Sequence, residues 1–209
     1  MTGMRATVVT VHGWHMPGLE MVLLNRRLRH AGYEVHGFRY ASRRETPEEA
    51  ARGLAVFLDA VPGDLVHLVA HSLGGLIVRH LFAVAPVQRP GRIVMLGSPL
   101  QGSRVAARMA QNRLGGWWLG AALERGLLGG SPILRGREVG MIAGSKAVGA
   151  GTWIAALPHP HDGTVAVDET RGPEVTRHLV VPTSHFGMLV NATVARETIS
   201  FLETGEFDS

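Results

Sequence analysis

Apolar and polar positions along the chain fall into two alternating rhythms. Ala6–Val11 is a β-branched run and reads as a buried strand. His12-Gly13-Trp14-His15-Met16-Pro17-Gly18 breaks it with glycine and proline, the punctuation of a loop. From Leu19 to His30, Leu19, Val22, Leu23 and Leu28 recur with arginines between them, an amphipathic helix stopped near Gly32. Tyr33–Tyr40 alternates as a second strand. Thr46-Pro47-Glu48-Glu49 opens a helix that runs to about Val61: a capping residue, proline at the first helical position, then acidic residues facing the positive end of the helix dipole.

Pro62-Gly63-Asp64 turns into a third strand that ends at Ser72, and an apolar helix follows from Leu73 to about Ala85. Arg92–Leu96, Glu138–Ala143 and Thr176–Val181 are the remaining strands, and a C-terminal helix covers about Gly187 to Leu202. Residues 102–130 show no strand; they hold Gly115-Gly116-Trp117-Trp118-Leu119-Gly120, apolar and interrupted by glycine. Strands separated by helices predict an α/β fold, a mostly parallel sheet of about six strands with helices on both faces, in one domain over 1–209. Ligands of such sheets bind at the carboxyl ends of the strands. His12, Ser72, Ser98, the loop after Ala143 and His185 all fall at that edge.

Composition narrows the classes. An apolar fraction of 45% and a charged fraction of 18% suit a globular chain. No apolar run approaches the roughly 20 residues of a membrane span. No stretch before the first strand is long enough for a signal peptide, so the expected location is cytoplasmic. The absence of cysteine removes disulfides, thiol nucleophiles and thiolate metal sites. The net charge of +4 is mild, and twenty of the twenty-one basic residues are arginine, Lys146 being the exception. They form no stripe interleaved with aromatics, so nucleic acid is not expected as a partner.

The abrupt change at Ala70-His71-Ser72-Leu73-Gly74 carries the chemistry. A strand turning sharply into a helix strains the serine backbone and lifts its hydroxyl clear of the sheet. Ala70 and Gly74 are small, as the close approach of strand and helix requires. The rival reading makes Ser72 only the N-cap of the helix.

A serine nucleophile needs a base, and the base needs an orienting group. His185 lies just after the last strand, at the ligand edge. His71 adjoins Ser72, but successive strand residues point in opposite directions. His67, His178 and His80 sit inside elements and read as packing residues; His15 remains as a pocket residue. Among acids between serine and histidine, Glu124, Glu138, Asp162, Asp168, Glu169 and Glu174, the favoured one is Asp162, on the Pro/Gly-rich turn 159–165, ahead of Asp168. His159-Pro160-His161-Asp162 lacks a separated third ligand group, so no metal is expected. Two backbone N–H groups suit an oxyanion: that of Leu73, at a helix start, and that of Trp14, on the loop that Gly13 lets bend and His12 braces.

The motifs V-H-G-W at 11–14, A-H-S-L-G-G at 70–75, G-S-P-L-Q-G-S at 97–103, H-D-G-T-V at 161–165 and S-H-F-G at 184–187 resemble those of the α/β-hydrolases, and of compact bacterial serine esterases and lipases in particular. The resemblance implies Ser72 as nucleophile, His185 as base, Asp162 as its partner, and Trp14 and Leu73 as oxyanion amides, with no cofactor. The expected activity is cleavage of a carboxylic ester through an acyl-enzyme. Acyl transfer or thioester cleavage by the same residues is the alternative, and a ligand-binding protein with little turnover is a third. The expected partner is a small ester or lipid, with room for transient contact with a lipid interface. His15, Met16, Trp117, Trp118 and Phe186 are candidate pocket residues. The resemblance also places a small cap or lid insertion at residues 102–130, where Trp117, Trp118, Leu119, Leu123, Leu127 and Leu128 either line an acyl pocket or cover the core.

Overall fold

The computed structural model describes residues 6–15, 18–149 and 151–208. Six strands, β1 (Ala6–Val11), β2 (Glu34–Phe38), β3 (Leu65–His71), β4 (Ile93–Leu96), β5 (Val139–Gly144) and β6 (Val175–Val181), form one sheet in the order β2-β1-β3-β4-β5-β6. Every pairing is parallel. The chain leaves β1 for one side of the sheet and returns through β3 to the other. A crevice therefore opens between the carboxyl ends of β1 and β3, where doubly wound sheets bind ligands.

The strand alternation splits the apolar residues into two cores. Val9, Val11, Leu68, Ala70 and Met95 face α2 (Pro47–Ala60) and α3 (Leu73–Val84). Val8, Val69, Val94, Leu96 and Ile142 face α1 (Val22–His30) and α7 (Ala192–Thr204). Both faces of the central strands are thus covered, which is why they read as continuous apolar runs. The expected start of α2 is present in full: Thr46 Oγ1 accepts from Glu49 N at 3.2 Å and Glu49 Oε2 from Thr46 N at 2.8 Å, with Pro47 at the first position.

Three details differ from the sequence reading. In the first helix the buried stripe is Met21, Leu24 and Leu28, while Leu19, Val22 and Leu23 face outward. The segment had apolar residues on two sides, and spacing alone did not choose between them. The C-terminal helix is two pieces, a 3₁₀ turn at Gly187–Leu189 and then α7. Asn191 separates them, because its extended backbone and side-chain oxygen, accepting from Thr193 N and Val194 N, start a new helix. Residues 102–130 fold as α4 (Arg104–Ala110), α5 (Arg113–Leu119), a 3₁₀ turn and a π-helical turn over Leu123–Leu127. Among the described residues, no helix is long and apolar enough to cross a membrane.

Candidate active site

Ser72 stands between β3 and α3 with φ 53° and ψ −120°, a left-handed backbone that a side-chain-bearing residue adopts only under constraint. Two contacts supply it. Ser72 N donates to Leu96 O at 2.9 Å, and the helix packs so tightly that a Cβ on Gly74 would come within 2.5 Å of Val11 O. A Cβ on Gly75 would meet Ser98 Oγ at 2.2 Å. The turn therefore needs both glycines. It is not an ordinary N-cap: the Ser72 side chain makes no cap hydrogen bond, and its hydroxyl has no hydrogen-bond partner among the described residues.

His185 follows β6 and meets Asp162 directly, with Nδ1 2.7 Å from Oδ2 and both side chains buried. The other oxygen, Oδ1, accepts from Thr164 N at 2.8 Å and Val165 N at 2.7 Å. The backbones are joined as well, His185 N donating to Asp162 O at 2.9 Å. Because the carboxylate can only accept, Nδ1 carries the proton and Nε2 is left with a free lone pair. Gly97, with φ 57°, makes room for this contact. A Cβ there would lie 3.2 Å from both Asp162 Oδ2 and His185 Nδ1.

The other acids are engaged elsewhere. Asp168 pairs with Arg104, Glu169 accepts from Ala166 N and Arg104 N, Glu138 pairs with Arg92, and Glu174 is buried against Arg79. The Glu124 side chain lies outside the described residues. His161 Nδ1 accepts from Gly163 N at 3.1 Å, which stiffens the turn that carries Asp162. Among the described residues, no three His, Asp or Glu side chains are grouped to hold a metal ion.

His71 departs from the alternation argument. Its ring packs 4.7 Å from that of His185, and its Nε2 donates to His185 O at 3.2 Å. The positive φ at Ser72 breaks the strand geometry one residue on, so the rule that neighbours point apart does not reach across it. Burial, reinforced by the neighbouring His185, holds the His71 pKa well below that of a free imidazole, so His71 is neutral. The glycine at Gly97 and the histidine before the serine were both visible in the motifs; their contacts were not.

The loop after β1 is braced from Tyr40. The His12 and Tyr40 rings stack at 4.3 Å, and Tyr40 Oη donates to His12 O at 2.9 Å. His12 Nδ1 donates to Gly13 O at 2.8 Å, while Nε2 accepts from Tyr40 N at 3.4 Å. Both bonds fit one neutral tautomer, and burial lowers the His12 pKa accordingly. Beyond these tied carbonyls the Trp14 backbone N–H has no partner among the described residues. The Leu73 N–H, first in α3, has none within its helix.

Trp14, His71, Ser72, His185 and Phe186 line one cavity of about 250 Å³. Its far side is apolar, with Val105, Ala106 and Met109 from α4, Trp118 and Leu119 from α5, and Leu127. Segment 102–130 thus does both things considered for it: Leu119 and Leu127 line the cavity and also belong to the core. Of the other candidate pocket residues, His15 does not line the cavity but stacks at 5.2 Å on Trp118. Trp117 is 68% exposed and lies under Arg43, 4.8 Å from its guanidinium carbon. Consecutive helix residues point about 100° apart, so Trp117 and Trp118 cannot both face inward. Met16 lies outside the described residues.

A family model described as an alpha/beta hydrolase family matches residues 8–197. A search of curated proteins gives no match. Among solved structures, the mature lipase BlEst2 of Bacillus licheniformis is similar at 18% identity and TM-score 0.77, covering 98% of this chain and 94% of that one. The metagenomic carboxyl esterase MGS0156 is similar at 16% identity and TM-score 0.66, covering 88% and 66%. The thioesterase domain from the curacin biosynthetic pathway is similar at 13% identity and TM-score 0.59, covering 96% and 92%. At such identities these likenesses carry the fold.

Proposed function

We propose a serine hydrolase acting on carboxylic esters from one premise: the chain belongs to the α/β hydrolase family, its family model spanning residues 8–197. The observation that carries the reading is the short Asp162–His185 contact at 2.7 Å, which backs a cavity that His185 and Ser72 line together. Ser72 Oγ attacks the ester carbonyl carbon while its proton passes to His185 Nε2. Asp162 keeps Nδ1 protonated and stabilises the imidazolium. The carbonyl oxygen, now negative, accepts from the amides of Leu73 and Trp14; one such donor is worth about 3–4 kcal/mol. Collapse breaks the bond to the alcohol, which leaves with the proton from His185. Water, losing its proton to the same nitrogen, then releases the acid and restores Ser72. Free hydrolase sites commonly tighten the serine–histidine contact only when substrate is bound.

The apolar far side of the cavity suits the acyl part of the substrate, and its volume of about 250 Å³ favours short to medium chains. A chromogenic ester series tests the reading. The wild type turns over the shorter esters and Ser72→Ala does not; equal turnover by the two proteins rejects it. Acyl-thioesters and added alcohol acceptors in the same assay separate hydrolysis of esters from the thioesterase and transferase alternatives, which share the acyl-enzyme.

A further inference from the structure

α5 turns an apolar face to solvent that the hydrolase reading does not use. Leu114 is 81% exposed and Trp117 68%, and Trp118, 43% exposed, joins this face to the cavity mouth. Positions 114, 117 and 118 share one side of a helix, so the three residues form a continuous ridge. Contiguous exposed apolar ridges on a folded chain mark a contact surface.

The charges around the ridge identify the partner. From residue 65 to residue 123 the chain contains no aspartate or glutamate. Of the arginines on α4 and α5, Arg104 is neutralised by Asp168 and Glu169. Arg108 hydrogen-bonds only the neutral Gln111, Arg113 has no ion pair among the described residues, and Arg43 lies over Trp117. Exposed tryptophan and leucine, with Arg43 over Trp117 and exposed arginines without ion pairs on the same two helices, match the interfacial zone of a negatively charged bilayer, with apolar side chains in the acyl boundary and guanidinium groups at the headgroups.

The helix is also held in place. Trp14 Nε1 donates to Leu119 O at 3.2 Å, and Ala121 N to Arg43 O at 3.1 Å. A Cβ on Gly115 would meet Met109 O at 2.1 Å, so α5 sits tightly on the end of α4. We propose that α5 is a fixed docking helix for an anionic lipid surface, presenting Leu114 and Trp117 to it and setting the cavity mouth against the membrane. This goes beyond the proposed hydrolysis and does not depend on it.

Flotation with vesicles of phosphatidylcholine alone, and of equal parts phosphatidylcholine and phosphatidylglycerol, tests it on the full chain. Each arginine at an anionic surface adds roughly fivefold in affinity. Wild type is expected to bind the mixed vesicles at least about tenfold more tightly than phosphatidylcholine, with the preference lost in ~1 M salt. Leu114→Ser with Trp117→Ser is expected to lower binding by about tenfold or more. Arg108→Glu with Arg113→Glu is expected to remove only the preference for the anionic lipid. Turnover of a soluble short-chain ester, or retained far-ultraviolet circular dichroism if the hydrolase reading fails, shows that the variants are folded. No binding to the mixed vesicles, or equal binding by the Leu114/Trp117 variant, overturns the proposal. So does a concentration-dependent dimer that this variant abolishes while vesicle binding is absent, which gives the face to a second copy.

Discussion

Behind the His185 side of the cavity, the buried Asp162 is fixed through both carboxylate oxygens, two bonds coming from the backbone of its own turn and one from His185. On the other side Ala106, Met109 and Leu119 line the cavity as apolar side chains set in packing contacts. The first side is directional: each carboxylate oxygen is held by fixed donors, and a displacement of a fraction of an ångström weakens those bonds. The second is non-directional, and its shape changes by degrees as side chains repack. In the proposed hydrolase, chemistry falls on the first side and substrate choice on the second, since a site must be exact where protons move and adaptable where acyl chains differ.

The largest expected effect strikes the directional side. Asp162→Asn keeps the shape but lets the amide donate to Nδ1, which moves the proton to Nε2 and removes the base. A loss of about 10⁴-fold in kcat is expected, the magnitude of that change in a serine-protease triad, with KM nearly constant in steady-state ester kinetics. A loss of less than tenfold would separate Asp162 from the chemistry.

Gly97→Ala comes next. Its Cβ would lie 3.2 Å from both atoms of the Asp162–His185 contact, at a residue with φ 57°. Forcing it in is expected to cost about 1–2 kcal/mol of stability in denaturant titration and about 100-fold in kcat through misplacement of the pair. Wild-type kcat in a folded variant would show that the pair tolerates displacement, and the contrast between the two sides would fail.

Acid distinguishes them as well. Residues 104–123 contain no histidine or carboxylate, whereas β3 and the loop after β1 carry three histidines whose pKa values are depressed, first by burial: His12, His71 and His67, the last down to about 4. Such groups stay neutral when folded and take up protons at about 6.5 when unfolded. The unfolded state then binds more protons, so their stabilisation is present above pH ~6.5 and drains away as pH falls toward ~4. Urea midpoints measured across that window are expected to fall, by a total on the order of a few kcal/mol. The fall should be shallower in His67→Asn, which keeps an acceptor for Arg92 N, bonded at 2.9 Å in the native protein. A midpoint that is flat across the window contradicts the neutral assignment.

The smallest effect is expected from the apolar side. Met109→Ala enlarges the cavity and moves the preferred ester toward longer acyl chains, leaving kcat/KM on the best short ester within about tenfold of wild type. An unchanged chain-length profile would remove Met109 from substrate choice.

The same contrast decides what the sequence made legible. Ser72, Asp162 and His185 could be picked out because each sits on a short turn with its own composition: small residues at 70 and 74, Pro and Gly around 162, the end of the last strand before 185. The six strands were legible because their apolar runs are bounded by glycine and proline. The inner surface of 102–130 was not, since alanine, leucine and tryptophan suit a pocket, a core and a surface equally, and only the rotation of α5 brings Trp118 to the cavity mouth and leaves Trp117 outside it. His71 was hidden for a different reason: the strained backbone at Ser72 lets both neighbours line one cavity, which a strand rule does not contain.

The central claim is that Ser72 is the nucleophile, and the most direct measurement is mass spectrometry of the intact and digested protein after reaction with a fluorophosphonate. The account predicts one adduct per chain, carried by the peptide containing Ser72, absent in Ser72→Ala and strongly slowed in Asp162→Asn. An unmodified wild type, or a Ser72→Ala protein labelled as fast as wild type, would contradict it.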